Sequence, residues 1–120
     1  MEPREKYQMP VQIKEVMDRY IKIMKEMYGI HLKKIILYGS YARGDFREDS
    51  DVDVMILVDL NDEEIRMRRR LLSDATFDFS YDDEVEIMPI VKNLDFFYRW
   101  IGASPFYNNV NNEGVELYAA

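Results

Sequence analysis

The chain has no cysteine, a single histidine and a single tryptophan in 120 residues. Without thiols there is no disulfide framework and no thiolate metal site, and a reducing cytoplasm is the expected compartment. The lone histidine, His31, follows a helix stop and lacks partner ligands, so it is expected on the surface rather than in catalysis. No apolar run approaches the roughly 20 residues of a membrane helix. The N-terminal stretch MEPREKYQMP has no apolar core of the kind a secretory leader needs, so none is expected. There is no Pro-, Gly- or Ser-rich linker, no internal repeat and no low-complexity segment, and residues 1–120 are expected to form one domain. Positive charge is scarce: 16 Lys and Arg stand against 23 Asp and Glu, a formal charge of −7. Such a surface repels phosphate backbones, so general nucleic-acid binding is not expected. A small anion such as a nucleotide could still bind, given a metal or a local basic pocket. Hydrophobic residues at 48% and charged residues at 32% are an ordinary globular balance, which excludes collagen-like and disordered chains.

Periodicity divides the chain into elements. From Pro10 to Tyr28, residues Ile13, Val16, Met17, Tyr20, Met24 and Met27 form one apolar stripe at helical spacing, and Gly29 is a stop. The methionine-rich stripe is read as core. Lys33 to Tyr38 is a short strand, and Gly39 to Ser50 is loop and turn. Val52 to Val58 is apolar almost throughout, which suits a strand buried on both faces. Asn61 to Tyr81 is read as one helix, opened by an Asn61–Glu64 capping box, with Ile65, Leu72 and Phe79 inward and Leu71 and Ala75 beside them. Glu84 to Val91 is a third strand, ending at or just after Pro89. Asn93 to Ile101 is an aromatic-rich helix. A short helix follows from Phe106 to Glu113, and Val115 to Tyr118 is extended. The sum is a small α/β or α+β domain with a mixed sheet flanked by helices.

One stretch carries chemistry. A strand ends at Tyr38, Gly39 permits a sharp turn and the close approach of a phosphate, and Ser40 supplies a hydroxyl. If a helical turn starts there, its amides make an anion site, with Arg43 one turn later. Asp51 and Asp53 are two apart at the start of a strand, so both carboxylates share a face. They repel each other, and the remedies are a shared proton or a divalent cation. Mg²⁺ in that place would bridge them to nucleotide phosphates. A third carboxylate is expected from the neighbouring strand, where Glu86 lies between Val85 and Ile87; Glu84 has the same parity and is the fallback. Glu86 is the candidate general base.

Gly39, Ser40, ten residues, then Asp51 and Asp53 is a far more specific pattern than its parts. Here the chain resembles the minimal nucleotidyltransferases, the smallest members of the DNA polymerase beta-like nucleotidyltransferase superfamily. Ala42, Arg43, Gly44 and Ser50 match the extended form of the signature, Glu86 matches its third acid, and Glu113 to Tyr118 looks like the family's ending. The resemblance implies a nucleotidyltransferase fold and a catalytic and metal set of Asp51, Asp53 and Glu86. It also implies a nucleotide site at Gly39, Ser40, Arg43 and Ser50, and transfer of AMP from ATP with Mg²⁺. Stand-alone members are commonly antitoxins encoded beside a HEPN-domain ribonuclease toxin, and active ones add AMP to a tyrosine of that toxin. Two alternatives stay open. One is an antitoxin that masks its toxin by binding alone; the other is a small-molecule transferase of the aminoglycoside type. The oligomeric state, homodimer or hetero-oligomer, is open as well.

Arg66, Arg68, Arg69 and Arg70 are read as a solvated helix face. The aromatics Phe96, Phe97, Tyr98, Trp100, Phe106 and Tyr107 exceed what a small core needs, and they are divided between core and a protein interface.

Overall fold

A computed structural model of the chain describes residues 9–120. Residues 1–8, read above as carrying no secretory leader, lie outside the described residues. The elements in chain order are α1 (Val11–Tyr28), a 3₁₀ turn (Gly29–His31), β1 (Leu32–Tyr38), α2 (Ser40–Arg43), β2 (Val52–Val58), α3 (Asp62–Met67), α4 (Arg69–Asp83), β3 (Ile87–Asn93), α5 (Leu94–Trp100), α6 (Pro105–Glu113) and β4 (Val115–Ala119). The four strands form one mixed sheet in the order β3-β2-β1-β4. β1 runs antiparallel to β2 and β4, and β2 runs parallel to β3. Among the described residues no helix is long and apolar enough to cross a membrane.

The apolar run of β2 reflects its place in the middle of the sheet with both faces covered. Val52, Val54, Ile56 and Val58 join Ile35 and Leu37 beneath α1 and α4, together with Met17, Tyr20 and Met24 of the methionine-rich stripe. Met55 and Leu57 join Ile36, Phe97, Tyr107 and Val110 on the opposite face, beneath α5 and α6. Val52, Val54, Met55, Ile56, Leu57 and Val58 have no exposed surface. Such burial is worth roughly 1.5–3 kcal/mol for each large side chain. α1 and α4 are further tied by a buried hydrogen bond of 2.8 Å between the Tyr20 and Thr76 hydroxyls. Burial pushes the Tyr20 phenol up to about 12.

Two expectations need correction. The segment Asn61 to Tyr81 is two helices. The capping box is present at Asn61 and Glu64, but at Arg68, with φ −93° and ψ −2°, α3 ends and α4 begins. The break turns α3 toward β3 and α4 toward α1, and tertiary packing dictates it, since no Gly or Pro marks the place. It also leaves Leu71 62% exposed while Leu72 is buried. The second correction concerns the third strand, which spans Ile87–Asn93 with Pro89 in its interior. β3 is an edge strand, so its outer side needs no amide and the proline is tolerated. Residues before Ile87 form a turn in which Glu84 caps α4 at φ 55°. Glu86 therefore lies ahead of the strand, exposed, and is not held inside it. His31 lies on the surface, as expected, with its Nδ1 2.7 Å from Asp59 Oδ1.

α6 is brought down onto β1 at Gly114. A Cβ there would come within 3.0 Å of both the Val110 carbonyl oxygen and Ile36 Cγ2, a separation real side chains do not show. Gly114→Ala should therefore cost about 1–3 kcal/mol by overpacking. Urea unfolding should show a lower midpoint with an unchanged slope. A midpoint equal to the wild type would mean that α6 is not pinned by this contact.

Candidate active site

β1 and β2 lie side by side, with Tyr38 opposite Asp53 and Ile36 opposite Met55. Asp53 therefore has the parity of Met55 and Leu57 and belongs to the face covered by α5 and α6. The chain turns sharply after Tyr38. Gly39 has φ 75°, and the next residues form the short helix α2, in which the amides of Ala42 and Arg43 donate to the Gly39 carbonyl. The amides of Ser40 and Tyr41 stand ahead of any intrahelical acceptor, as at every helix start. A Cβ at Gly39 would fall within 3.0 Å of Asp53 Oδ2. Glycine is thus required twice over: by its backbone angle and by the carboxylate that fills the space a side chain would take.

Asp53 is partly shielded from solvent. Its carboxyl is held above the ordinary range, first by burial and then by the neighbouring Asp51 carboxylate, while Arg43 opposes the shift. Tyr38 beside it is pushed up to about 12 by burial and by Asp53. Arg43 is itself engaged by Asp45 at 3.3 Å and by Glu113 at 3.5 Å. Gly39, Ser40, Arg43 and Asp53 line one cleft of about 380 Å³, walled on the other side by Phe106 and Glu113 of α6.

The structure brings together part of the expected set. Gly39, Ser40, Arg43 and Asp53 meet in that cleft, and Asp51 lies close enough to Asp53 to act on its charge. Glu86 and Ser50 line a different cleft, of about 770 Å³, between α2 and the end of α4, where Glu84 also lies. Ser50 closes a local turn: its Oγ accepts from the Arg47 amide at 2.7 Å, and its own amide donates to the Arg47 carbonyl at 3.0 Å. The Glu86 backbone is nevertheless anchored beside the acidic pair, because the Val52 amide donates to the Glu86 carbonyl at 2.8 Å. Among the described residues, no group of three or more Asp, Glu or His side chains is gathered closely enough to hold a metal ion. The donors present still fit a hard divalent cation: two carboxylates whose mutual repulsion, visible at Asp53, a cation would offset. Mg²⁺ commonly takes only one or two protein carboxylates, completing its shell with phosphate and water.

Sequence reasoning placed Glu113 only in a family ending and Phe106 only in an aromatic cluster. Both line the cleft of about 380 Å³. The signal was their spacing: Phe106, Asn109 and Glu113 fall at i, i+3 and i+7 on a short helix, which puts them on one side of it.

A glycine turn is packed against one of two paired carboxylates and opens on a small cleft beside Arg43. The model of the nucleotidyltransferase domain family matches residues 17–100, and the chain belongs to that family. Two relatives from Methanocaldococcus jannaschii are named as putative protein adenylyltransferases. One is 39% identical over 100 residues, covering 82% of this chain and 91% of the relative. The other is 32% identical over 108 residues, covering 89% of this chain and 100% of the relative. The fold is shared with two crystal structures of toxin–antitoxin proteins. One, of an MntA-HpeT mutant, has a TM-score of 0.56 at 19% identity and covers 86% of this chain and 73% of that one. The other, with AMP-PNP, has a TM-score of 0.55 at 17% identity and covers 92% of this chain and 75% of that one.

The raised carboxyl of Asp53 gives a signed stability prediction. The native state holds this proton more tightly than the unfolded chain does. Stability therefore falls as pH rises from the ordinary aspartate value, about 4, through the raised one. Asp53→Asn should unfold at higher urea than the wild type at pH 7, and the difference should vanish below about pH 3.5. A variant less stable than the wild type at pH 7 would show that Asp53 is favourably paired and not repelled.

Proposed function

We propose that the protein is a Mg²⁺-dependent adenylyltransferase that moves AMP from ATP to a tyrosine hydroxyl of a HEPN-type ribonuclease toxin, and so acts as an antitoxin. The observation that carries this reading is the contact between the Gly39 turn and Asp53, where the phosphate cradle and the acidic pair are joined with no room between them. The curated relatives, named as putative protein adenylyltransferases, support the chemistry. The structural neighbours, toxin–antitoxin proteins, support the setting.

In this reading Ser40 and the first amides of α2 receive the phosphates, and Arg43 balances their charge. Asp51 and Asp53 hold Mg²⁺, which when bound neutralises charge on the triphosphate. Glu86 takes the proton from the tyrosine hydroxyl; the tyrosine oxygen bonds to the α-phosphorus and pyrophosphate leaves. The exposed position of Glu86 suits a base that meets its substrate only when a partner docks. Two features favour a protein acceptor. The net charge of −7 attracts a basic partner, such as a ribonuclease. α5 also leaves Phe96, Tyr98 and Trp100 each more than two-fifths exposed, the kind of side chain enriched at protein interfaces.

The chain, Mg·ATP and its co-encoded toxin should yield toxin heavier by one or more AMP units in intact-mass measurement. The gain should be lost in Asp51→Asn. If the toxin is neutralised with no mass change, and Asp51→Asn protects equally well, the protein works by masking. Glu86→Gln should lower the transfer rate by about 10²–10⁴ while binding Mg·ATP more nearly as the wild type does than Asp51→Asn or Asp53→Asn. A normal rate in Glu86→Gln with a poor one in Glu84→Gln would move the role to Glu84.

A further inference from the structure

The reading above accounts for the phosphate end of the cleft but assigns nothing to its other wall. That wall is α6. Phe106, Asn109 and Glu113 line the cleft from this helix, opposite Gly39, Ser40 and Asp53. Glu113 meets Arg43 at the phosphate end. Phe106 lies seven residues earlier, about 10 Å along the helix axis, and its ring stands edge-to-face against Tyr38 with centroids 5.6 Å apart. Phe106 is 42% exposed. An aromatic side chain left open to this cleft, two helical turns from the Glu113–Arg43 pair, is spaced for the far end of a nucleotide whose phosphates lie at Arg43.

Resting on the nucleotide-cleft reading, we infer that α6 is the base-recognition wall of this site: Phe106 is a stacking platform for the nucleobase, and Asn109, one turn on, presents its amide to the base's edge. A base stacks on an aromatic face whatever its hydrogen-bonding edge, so Phe106 supplies affinity. The Asn109 amide offers a donor and an acceptor, so it supplies discrimination between purines. The Tyr38 ring sets the tilt of Phe106, and Pro105, at the first turn of α6, fixes where the helix begins. The distance from Phe106 to the acidic pair is then held by the same Gly114 contact that seats α6 on β1.

Binding to the full chain is measured by calorimetry with two probes, Mg·ATP and Mg·tripolyphosphate. Phe106→Ala should weaken Mg·ATP by about 5- to 150-fold and leave Mg·tripolyphosphate unchanged, while Phe106→Trp should retain Mg·ATP binding. Asn109→Ala should change the ratio of ATP to GTP affinity without altering tripolyphosphate binding. Thermal unfolding of each variant reports whether the fold is intact. Equal loss of both probes in a folded Phe106→Ala would make Phe106 a structural residue, and no loss of either would place the base elsewhere; both results overturn the inference. A wild type that binds neither probe overturns the nucleotide-cleft reading itself, a failure distinct from that of α6. An ATP-to-GTP ratio unchanged in Asn109→Ala removes the amide from the proposal.

Discussion

The site depends on a contact that admits no side chain. The turn after β1 and the carboxylate of Asp53 on β2 occupy adjoining space, and a Cβ on Gly39 would enter that of Asp53 Oδ2. β1 and β2 pair directly, with Tyr38 opposite Asp53, so the sheet's own hydrogen bonds hold the two halves together. In the proposed reading, a phosphate received by the turn stands beside the acidic pair without any loop having to close. The pairing also has an electrostatic cost: burial and Asp51 hold the Asp53 carboxyl above its ordinary range. The apolar interior of β2 offsets that cost. Its residues from Val54 to Val58 are fully buried on both faces of the sheet, and that burial exceeds anything a partly exposed carboxylate can lose.

Covering both faces is what makes the small cleft possible. α1 and α4 close one face, and α5 and α6 close the other. α6 is held on β1 by the absence of a side chain at Gly114, much as Asp53 is admitted by the absence of one at Gly39. Two glycines thus position the opposite walls of one cavity, one by its turn and one by a close approach. Arg43, engaged by Glu113 across the cleft, ties the walls electrostatically. These are exposed pairs, so they orient the side chains more than they stabilise the fold.

Most of the fold was legible because each element carries its own local signal. The stripe of α1, the unbroken apolar run of β2, the capping box at Asn61 and the turn at Gly39 are decided by nearest neighbours, and they stand where the spacing put them. The errors fell where distant packing decides. Nothing local marks the break at Arg68. Pro89 argued against a strand interior until the sheet order placed β3 at an edge. The same slip carried Glu86 into a strand that begins one residue later. In the site, the signature Gly39, Ser40, Asp51 and Asp53 was readable because sequence spacing and sheet pairing agree. The far wall was not, since α6 meets the turn only through tertiary contact, and the spacing of Phe106, Asn109 and Glu113 has no meaning until β4 pairs with β1.

In the proposed reaction Glu86 and Asp53 act together although they line different clefts. α2 stands between them: Ser40 lines the cleft of Asp53, and its neighbour Tyr41 lines the cleft of Glu86. The start of β2 does the same, since Ser50 lines one cleft and Asp53 the other, with Asp51 between them in the chain. An in-line displacement needs its attacking and leaving oxygens on opposite sides of the reacting phosphorus. Under the proposed reaction, the donor sits on the α6 side and the acceptor arrives from the α4 side, and the segment from Ser50 to Asp53 joins the two clefts. The cleft on the α4 side is lined by Glu48, Asp49, Asp82, Glu84 and Glu86, which disfavours a polyphosphate and favours a cationic surface. Under the proposed reaction, the division separates the two substrates by charge: ATP with Mg²⁺ on the side that holds Arg43, and a basic protein on the side that holds Glu86.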